Sequence, residues 1–488
     1  MCHSAVLPWV LLGLLIGVLP NLRAGTIALP DITGSAEGLF TPLEEQRLGR
    51  AFMRSVRRGL PVIDDPLLSE YIDGLGQRLT AKAERSQSSF HFFLIDQPLV
   101  NAFAGPAGNI GVYSGLVLAT ESESELAAVV AHEISHVTQD HLARTFENAQ
   151  NMSVPTAALL LAAILLGAKA GGDVGIAAAA GVQAAALQQQ INFTRENEQE
   201  ADTVGIRLLA AADFDPHAMP VFFERLSKAS RLYENNAPEF LRTHPVTSNR
   251  IADAIGRADR YPYRQRPDNP DYFLTRAALR ERGFSNPKKA VEHFRATLDS
   301  KRYRQEAGER YGYALALLHA HQLEQARNEA RRLLRQAPAN IAYLLLDARV
   351  DADGGQAARA LKSIAMALDL FPGNYPLASY YAQLSLEQRR PAQAVGPLDQ
   401  ALEHHHDEPG LYELRSRVAA ATGHRADAYL FLADASYLNG QLENAVQQLG
   451  VALRSEHFDY YDESKLRARL GEINRELKAE KDAEKARN

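Results

Sequence analysis

The stretch "VVAHEISHVTQDH", residues 129–141, places two histidines four apart with a glutamate directly after the first. On an α-helix each residue turns ~100°, so His132 and His136 lie ~40° apart on one face and can aim ring nitrogens at one ion. Glu133 falls on the adjacent face, within reach of a water on that ion. This pattern suits peptide hydrolysis. Zinc lowers the pKa of its water towards ~7 and polarises a carbonyl, and a nearby carboxylate carries the proton from water to the leaving amine. With 15 His and 59 Asp plus Glu in the chain, chance would give such a pentad in roughly three of a hundred similar chains. The flank "LAAVVA" is apolar and predicts a buried helix. Unpaired His and Glu are costly there, which favours a ligand role over an exposed polar face.

A third ligand is needed. His141 is the nearest candidate, but on a continuous helix it points ~180° away from His132. The glycine turn that folds a third histidine back in metzincin motifs is absent, so His141 is not expected to be a ligand. A carboxylate from a second helix is the other route, and "NFTRENEQEADTVGIRLLAAADFDP" supplies one. Glu196, Glu198 and Glu200 all compete. Glu198 and Asp202 are four apart and share a face. Glu198 can therefore bind the metal while Asp202 accepts a hydrogen bond from a ligand histidine. The remaining glutamates are expected to be solvated. His244, one position before a proline, reads from the residues alone as structural.

The elements that must hold these groups are mostly helical. "TPLEEQRLGRAFMRSVRRG" has a cap at Thr41, acids at Glu44 and Glu45, and one apolar face; "DPLLSEYIDGLGQRLTAKA" repeats the pattern. "FHFFLID", residues 90–96, reads as a strand. "NAFAGPAGNIGVYSGLV" gives two short extended runs around a Gly/Pro turn, hence a small sheet. The HEISH helix should start near Ser122 or Ser124 and run through "DHLARTF". Residues 154–168 and 174–187 are two apolar stretches, each short for a bilayer span. The expectation is a buried helical hairpin, with a peripheral membrane contact as the sharper alternative.

The 488 residues, 46% hydrophobic and 23% charged, suffice for two domains. A net charge of −6 argues against nucleic acid as a partner. An apolar run over residues 5–19 ends near Pro20, and Leu22-Arg23-Ala24 offers a cleavage point, so residues 1–24 are expected to be a secretory signal peptide. The n-region lacks Lys and Arg; the competing expectation is an uncleaved anchor. The only cysteine is Cys2, inside that leader. The mature chain would then have no disulfide and no thiolate ligand, which fits a bacterial periplasm.

Three prolines in "YPYRQRPDNPDY", residues 261–272, predict a domain boundary. Beyond it a period emerges: Ala326, Ala360, Ala394 and Ala428 are each 34 apart, as are Leu334, Leu368 and Leu402, and Pro338 and Pro372. That is the helix-turn-helix period of tetratricopeptide repeats, in which small alanines let paired helices approach closely.

"HEISH", "ENEQEADTVG" and "THPVTSNRI" together resemble the M48 peptidase family. Their order, behind a signal sequence and ahead of tetratricopeptide repeats, resembles the periplasmic members of that family that work in outer-membrane β-barrel assembly. The resemblance covers nearly the whole mature chain. It implies a mainly α fold with a small β-sheet: a signal peptide (1–24), a gluzincin-like zinc metalloprotease domain (25–262), and an α-helical tetratricopeptide-repeat solenoid (270–480). It implies one zinc per chain, with His132, His136 and Glu198 as ligands and His244 as a fourth, inhibitory ligand. Glu133 is the general base and Asp202 the second carboxylate of the catalytic set. Arg250 is then a cleft wall or a plain salt bridge. "NAFAGPAGNIGVYSGL" resembles the family's segment before the zinc helix, where an edge strand can hold substrate by β-addition. Implied clients are outer-membrane β-barrel precursors, with the barrel-assembly machinery contacted through the repeats. The competing reading is a non-catalytic repeat chaperone or scaffold that retains a structural zinc.

Overall fold

Thr41 caps the first helix, α1 (Pro42–Gly59), in a reciprocal capping box: its side chain accepts from the Glu44 amide while Glu44 accepts from Thr41. Asp65 caps α2 (Pro66–Thr80) by accepting from the Leu67 and Leu68 amides. A three-stranded sheet follows, built from β1 (His91–Ile95), β2 (Ala102–Ala104) and β3 (Asn109–Tyr113) in the order β1-β3-β2. β1 and β3 are parallel, with Leu94 opposite Val112, and β2 is antiparallel to β3, with Phe103 opposite Gly111. β2 is thus an outer strand. Gly111 leaves room for the Phe103 and Phe93 rings, since a Cβ there would sit 2.5 Å from Phe103 Cζ and 3.0 Å from Phe93 Cζ.

This computed structural model describes residues 41–83, 89–146, 195–232, 238–263 and 266–487. The expected leader and the two apolar stretches at 154–168 and 174–187 lie outside the described residues. Among the described residues, no helix is long and apolar enough to cross a membrane.

After α3 (Ser114–Ala119) comes α4 (Glu123–Thr138), which carries HEISH. Ser122 is its cap, accepting from the Glu125 amide at 3.3 Å. Every residue from Glu123 to His136 is buried, as expected for a helix without a solvent face. The sheet lies on one side of α4. On others it packs α6 (Arg195–Ala211) and α7 (Ala218–Leu232). One expectation is corrected here. The helix does not continue through "DHLARTF": Asp140 adopts φ 53° and α5 (His141–Phe146) starts anew. Asp tolerates this left-handed conformation better than most side chains, so the chain can stop and turn at that point.

Two short helices, α8 (Glu239–Thr243) and α9 (Ser248–Ala258), close over the centre. The repeat region then runs as helices from α10 (Pro270–Arg282) to the 28-residue α21 (Tyr460–Arg487). α10 is shared by two cores: Tyr272 and Leu279 belong with α4, Leu274 and Ala277 with the first repeats. Ala326, Ala360 and Ala394 are fully buried where paired helices touch, as the 34-residue period predicts. Ala428 is only partly buried, and Ala426 takes the buried place.

The described residues form one compact unit, and the repeats grip the N-terminal helices at two places. Arg54 of α1, 3% exposed, meets Glu480 at 2.9 Å and Glu476 at 3.0 Å on α21, and donates to Tyr437 Oη at 2.8 Å. On α2, Leu67 packs against two repeat cores, and Glu70 accepts from the Asn374 side chain at 3.2 Å.

The second contact contains an acid pair. Burial, helped by Asp73 and Glu408, pushes the Glu70 carboxyl up to about 7. Burial also pushes Glu408 up to about 7, with Arg57 opposing and Asp64 and Asp73 adding. A carboxyl whose folded pKa is raised stabilises the fold at low pH and loses that contribution as pH rises through the folded value. Resistance to urea is therefore expected to fall between about pH 5 and about pH 8. Glu408 contributes up to ~3 kcal/mol; the Glu70 side chain is 39% exposed and contributes less. Glu408→Gln should flatten the profile, whereas a midpoint that climbs over this interval would show the pair is not protonated in the fold.

Candidate metal centre

Four side chains from two helices and a loop converge beneath α8. His132 and His136 come from successive turns of α4, Glu198 from α6, and His244 from the loop between α8 and α9. All are at most 2% exposed, and one donor atom from each lies within 4.8 Å of the others. Five of the separations are tighter than that limit. His132 Nε2 is 3.0 Å from His136 Nε2, 3.3 Å from His244 Nδ1 and 3.5 Å from Glu198 Oε2. Glu198 Oε1 is 2.9 Å from His244 Nδ1 and 3.5 Å from His136 Nε2. A tetrahedron with arms of ~2.05 Å, the zinc–nitrogen and zinc–oxygen length, has edges of ~3.3 Å. Three nitrogens and one carboxylate at these separations fit a single zinc. The sequence alone left Glu196, Glu198 and Glu200 in competition; the structure brings Glu198 to the histidines and leaves Glu196 exposed.

Close packing of α4 on α6 makes this possible. A Cβ on Gly205 would lie 3.4 Å from both the Ala131 carbonyl carbon and the His132 amide nitrogen, and 3.0 Å from Met219 Cε. Glycine there lets the two backbones approach, one turn after Asp202.

The surroundings fix the donors. His132 Nδ1 lies 3.0 Å from Asp202 Oδ1, which orients the ring so that Nε2 faces the centre. Burial opposes a charged His132, but the Asp202 and Glu198 carboxylates outweigh it and push the ring up to about 10. Burial, reinforced by His132, holds His136 well below the ordinary imidazole range. Burial works against an ionised Glu198, but His244 and His132 overcome it and keep the carboxyl well below its usual range. Arg250 resolves into a buried hub. Its Nε and Nη2 each donate to Asp202 at 2.8 Å, and its Nη1 meets Glu198 at 2.6 Å and the Pro245 carbonyl at 2.9 Å. Of the two expectations for Arg250, the salt bridge is the one observed.

Glu133 stands apart. It is fully buried, and among the described residues no side chain donates a hydrogen bond to either carboxylate oxygen. Burial raises its pKa, against the pull of His244 and His132. The backbone of Ala104, on the outer strand β2, faces it. His244 Nε2 is 3.6 Å from Glu133 Oε1. A buried carboxylate in this position, beside three ring nitrogens, is suited to moving protons at the centre.

His141 was the residue most underestimated from sequence. Because α4 ends at Thr138, His141 turns back towards the centre, fully buried. Its Nδ1 lies 2.9 Å from His136 Nδ1 and its Nε2 3.1 Å from Glu200 Oε2, with Arg144 3.3 Å from the same oxygen. Glu200 is therefore half-buried and engaged rather than solvated. Asp140, a residue type prone to stop a helix, was the available signal.

With this geometry in view, the likenesses to known proteins are consistent. Residues 66–258 match the profile of "Peptidase family M48". The chain is 34% identical over 447 residues to the "Beta-barrel assembly-enhancing protease" of Yersinia pestis, covering 92% of each. It is 34% identical over 456 residues to the protein of that name from Escherichia coli (strain K12), covering 93% of each. It is 30% identical over 207 residues to "Metalloendopeptidase OMA1, mitochondrial" of Danio rerio, covering 41% of this chain and 43% of that one. The family profile spans the donor-bearing helices, the bacterial relatives cover nearly the whole chain, and the chain belongs to peptidase family M48.

Proposed function

We propose that this zinc metalloendopeptidase acts in the periplasm on outer-membrane β-barrel precursors, and that His244 holds it at rest. The observation that carries the reading is the convergent buried set of His132, His136, Glu198 and His244 beside the buried carboxylate of Glu133. The periplasm and the barrel-protein clients are supported by the names of the bacterial relatives and by a sequence whose only cysteine lies in the expected leader.

Bound zinc supplies Lewis acidity, making a water acidic and polarising the scissile carbonyl. The chain's own residues do the rest. Glu133 accepts a proton from the attacking water and delivers it to the leaving amine; its burial-raised pKa suits both halves of that task. Asp202 acts through His132, keeping Nε2 towards the metal. Arg250 fixes Asp202 and Glu198 together, so neither donor drifts on binding. The outer strand β2 offers its backbone to an extended substrate beside Glu133. His244 fills the fourth position of the set, where the attacking water must sit, and has to swing away before turnover. The catalytic part spans 25–262 and the repeats 270–480, the latter presenting clients and contacting the barrel-assembly machinery.

The resting arrangement favours a second, compatible activity. With His244 in place the protein binds clients through its helical repeats without cutting them, as a chaperone does.

Three outcomes test these roles. Glu133→Gln should abolish cleavage of casein, by ~10²–10⁴-fold, while the purified protein still carries one zinc; equal cleavage by variant and parent would leave only the scaffold reading. His244→Ala should raise cleavage about tenfold or more at unchanged zinc content, because the fourth position opens. Asp202→Asn should weaken zinc retention by ~10–100-fold in a chelator competition, with little loss if Asp202 does not orient His132.

A further inference from the structure

The two histidines that α4 gives to the centre are backed by different chemistry. His132 Nδ1 meets the Asp202 carboxylate directly, at 3.0 Å. His136 Nδ1 meets a second ring instead. It lies 2.9 Å from His141 Nδ1, with the ring centroids 4.9 Å apart and the planes at 73°. The far nitrogen of that ring, Nε2, is 3.1 Å from Glu200 Oε2, and Arg144 Nη1 is 3.3 Å from the same oxygen. His141 is fully buried, whereas the Glu200 side chain is 39% exposed. A buried imidazole therefore links one donor of the centre to a carboxylate at the protein surface.

Chemistry fixes the direction of each bond. A ring nitrogen that gives its lone pair to a metal carries no proton, so a neutral His136 with Nε2 at the centre holds its proton on Nδ1. That N–H can donate only to an unprotonated Nδ1 on His141. His141 then holds its own proton on Nε2, where Glu200 accepts it. Two hydrogen bonds run in one sense, from the donor histidine to the carboxylate. We propose that His141 and Glu200 are positioning residues for the centre: together they hold His136 in the ring orientation and tautomer that can bind zinc. This rests on zinc being the occupant of the centre. Glu200 thereby takes a role distinct from that of Glu198, two positions earlier on α6 and on a different face of the helix.

The turn at Asp140 makes this arrangement possible. On an unbroken helix His141, five positions after His136, would sit ~140° round the axis and point away from it. Asp140 at φ 53° ends that run. α5 then restarts, with the Arg144 N–H donating to the Asp140 carbonyl at 3.0 Å. Leu142, directly after His141, packs against the apolar cluster that includes Phe52 and Phe103, which seats α5 on the sheet side of the centre. A buried imidazole costs its desolvation unless its polar atoms are matched. Both nitrogens of His141 are matched here, one by a donor histidine and one by Glu200. The Asp202 contact and the His141–Glu200 contact thus do for His132 and His136 the same task by different means: each fixes a ring by its Nδ1 and leaves Nε2 for the metal.

The test follows zinc retention against a competing chelator in the whole zinc-loaded protein, with thermal melts reporting whether each variant folds. His141→Leu keeps an apolar side chain of similar bulk and removes both hydrogen bonds. His141→Asn is smaller but keeps an acceptor for His136. Zinc affinity should fall ~10–100-fold in His141→Leu, and His141→Asn should recover most of that loss. A packing role predicts the reverse order, and that order overturns the proposal. Glu200→Ala should weaken zinc in the parent but change His141→Leu by no more than about twofold, because Glu200 acts only through His141. Losses that multiply show two independent effects and overturn it as well. If His141→Leu does not fold, the same pairing is read in His141→Asn, where Glu200→Ala should again add little. Asp140→Gly should retain more zinc than Asp140→Val, since glycine takes positive φ freely and a β-branched residue does not; equal retention means the turn is not what places His141. His136→Ala separates this proposal from the metal reading beneath it. If it loses zinc while His141→Leu does not, the positioning role fails and the zinc site stands. If His136→Ala holds zinc as tightly as the parent, both fall.

Discussion

A single guanidinium balances the charge of this centre. Asp202 and Glu198 are both buried, at 3% and 2% exposure, and two such carboxylates one turn apart on α6 repel each other at close range. Arg250 engages both and also accepts a third duty by binding the carbonyl of Pro245, directly after His244. It therefore joins the helix that supplies the carboxylate donor to the loop that supplies the fourth histidine. Removing one partner of a buried pair commonly costs ~3–5 kcal/mol, because the other charge is left behind. The donor geometry, the orientation of His132 and the seat of His244 all depend on that one cation.

Around it the architecture is organised to keep polar groups dry and fixed. α4 is buried along nearly its full length, so His132, Glu133 and His136, at 0–2% exposure, are held by close packing on all sides. The His136–His141–Glu200 relay and the Asp202–His132 contact are the second layer of support. Such outer partners determine how tightly and in what orientation ligands are held. The outer strand β2 is braced in turn. Phe52 of α1 meets Phe103 edge-on at 6.3 Å, and Arg54, two residues further along the same helix, is pinned to the last helix of the repeats. The repeats and the strand beside Glu133 thus share a support in α1.

Much of the site was legible in the sequence because it rests on helical spacing. His132 and His136 four apart, and Glu198 and Asp202 four apart, define faces whatever the rest of the fold does. The capping box at Thr41 and the buried alanines of the 34-residue period were readable for the same local reason. His141 was not, because its direction depends on whether the helix continues past Asp140, and one left-handed residue reverses the answer.

The sequence by itself determined the histidine pair of α4, the short list of carboxylates that could join it, the general shape of each helix and the repeat period, since these follow from residue type and from contacts within a few turns. Only the tertiary structure decided which glutamate joins the histidines, where Arg250 directs its five N–H groups, and what lies over the centre. Those outcomes depend on distances between α4, α6 and α8, segments up to 112 residues apart, and distances of that kind are set by packing of the whole core rather than by any local pattern.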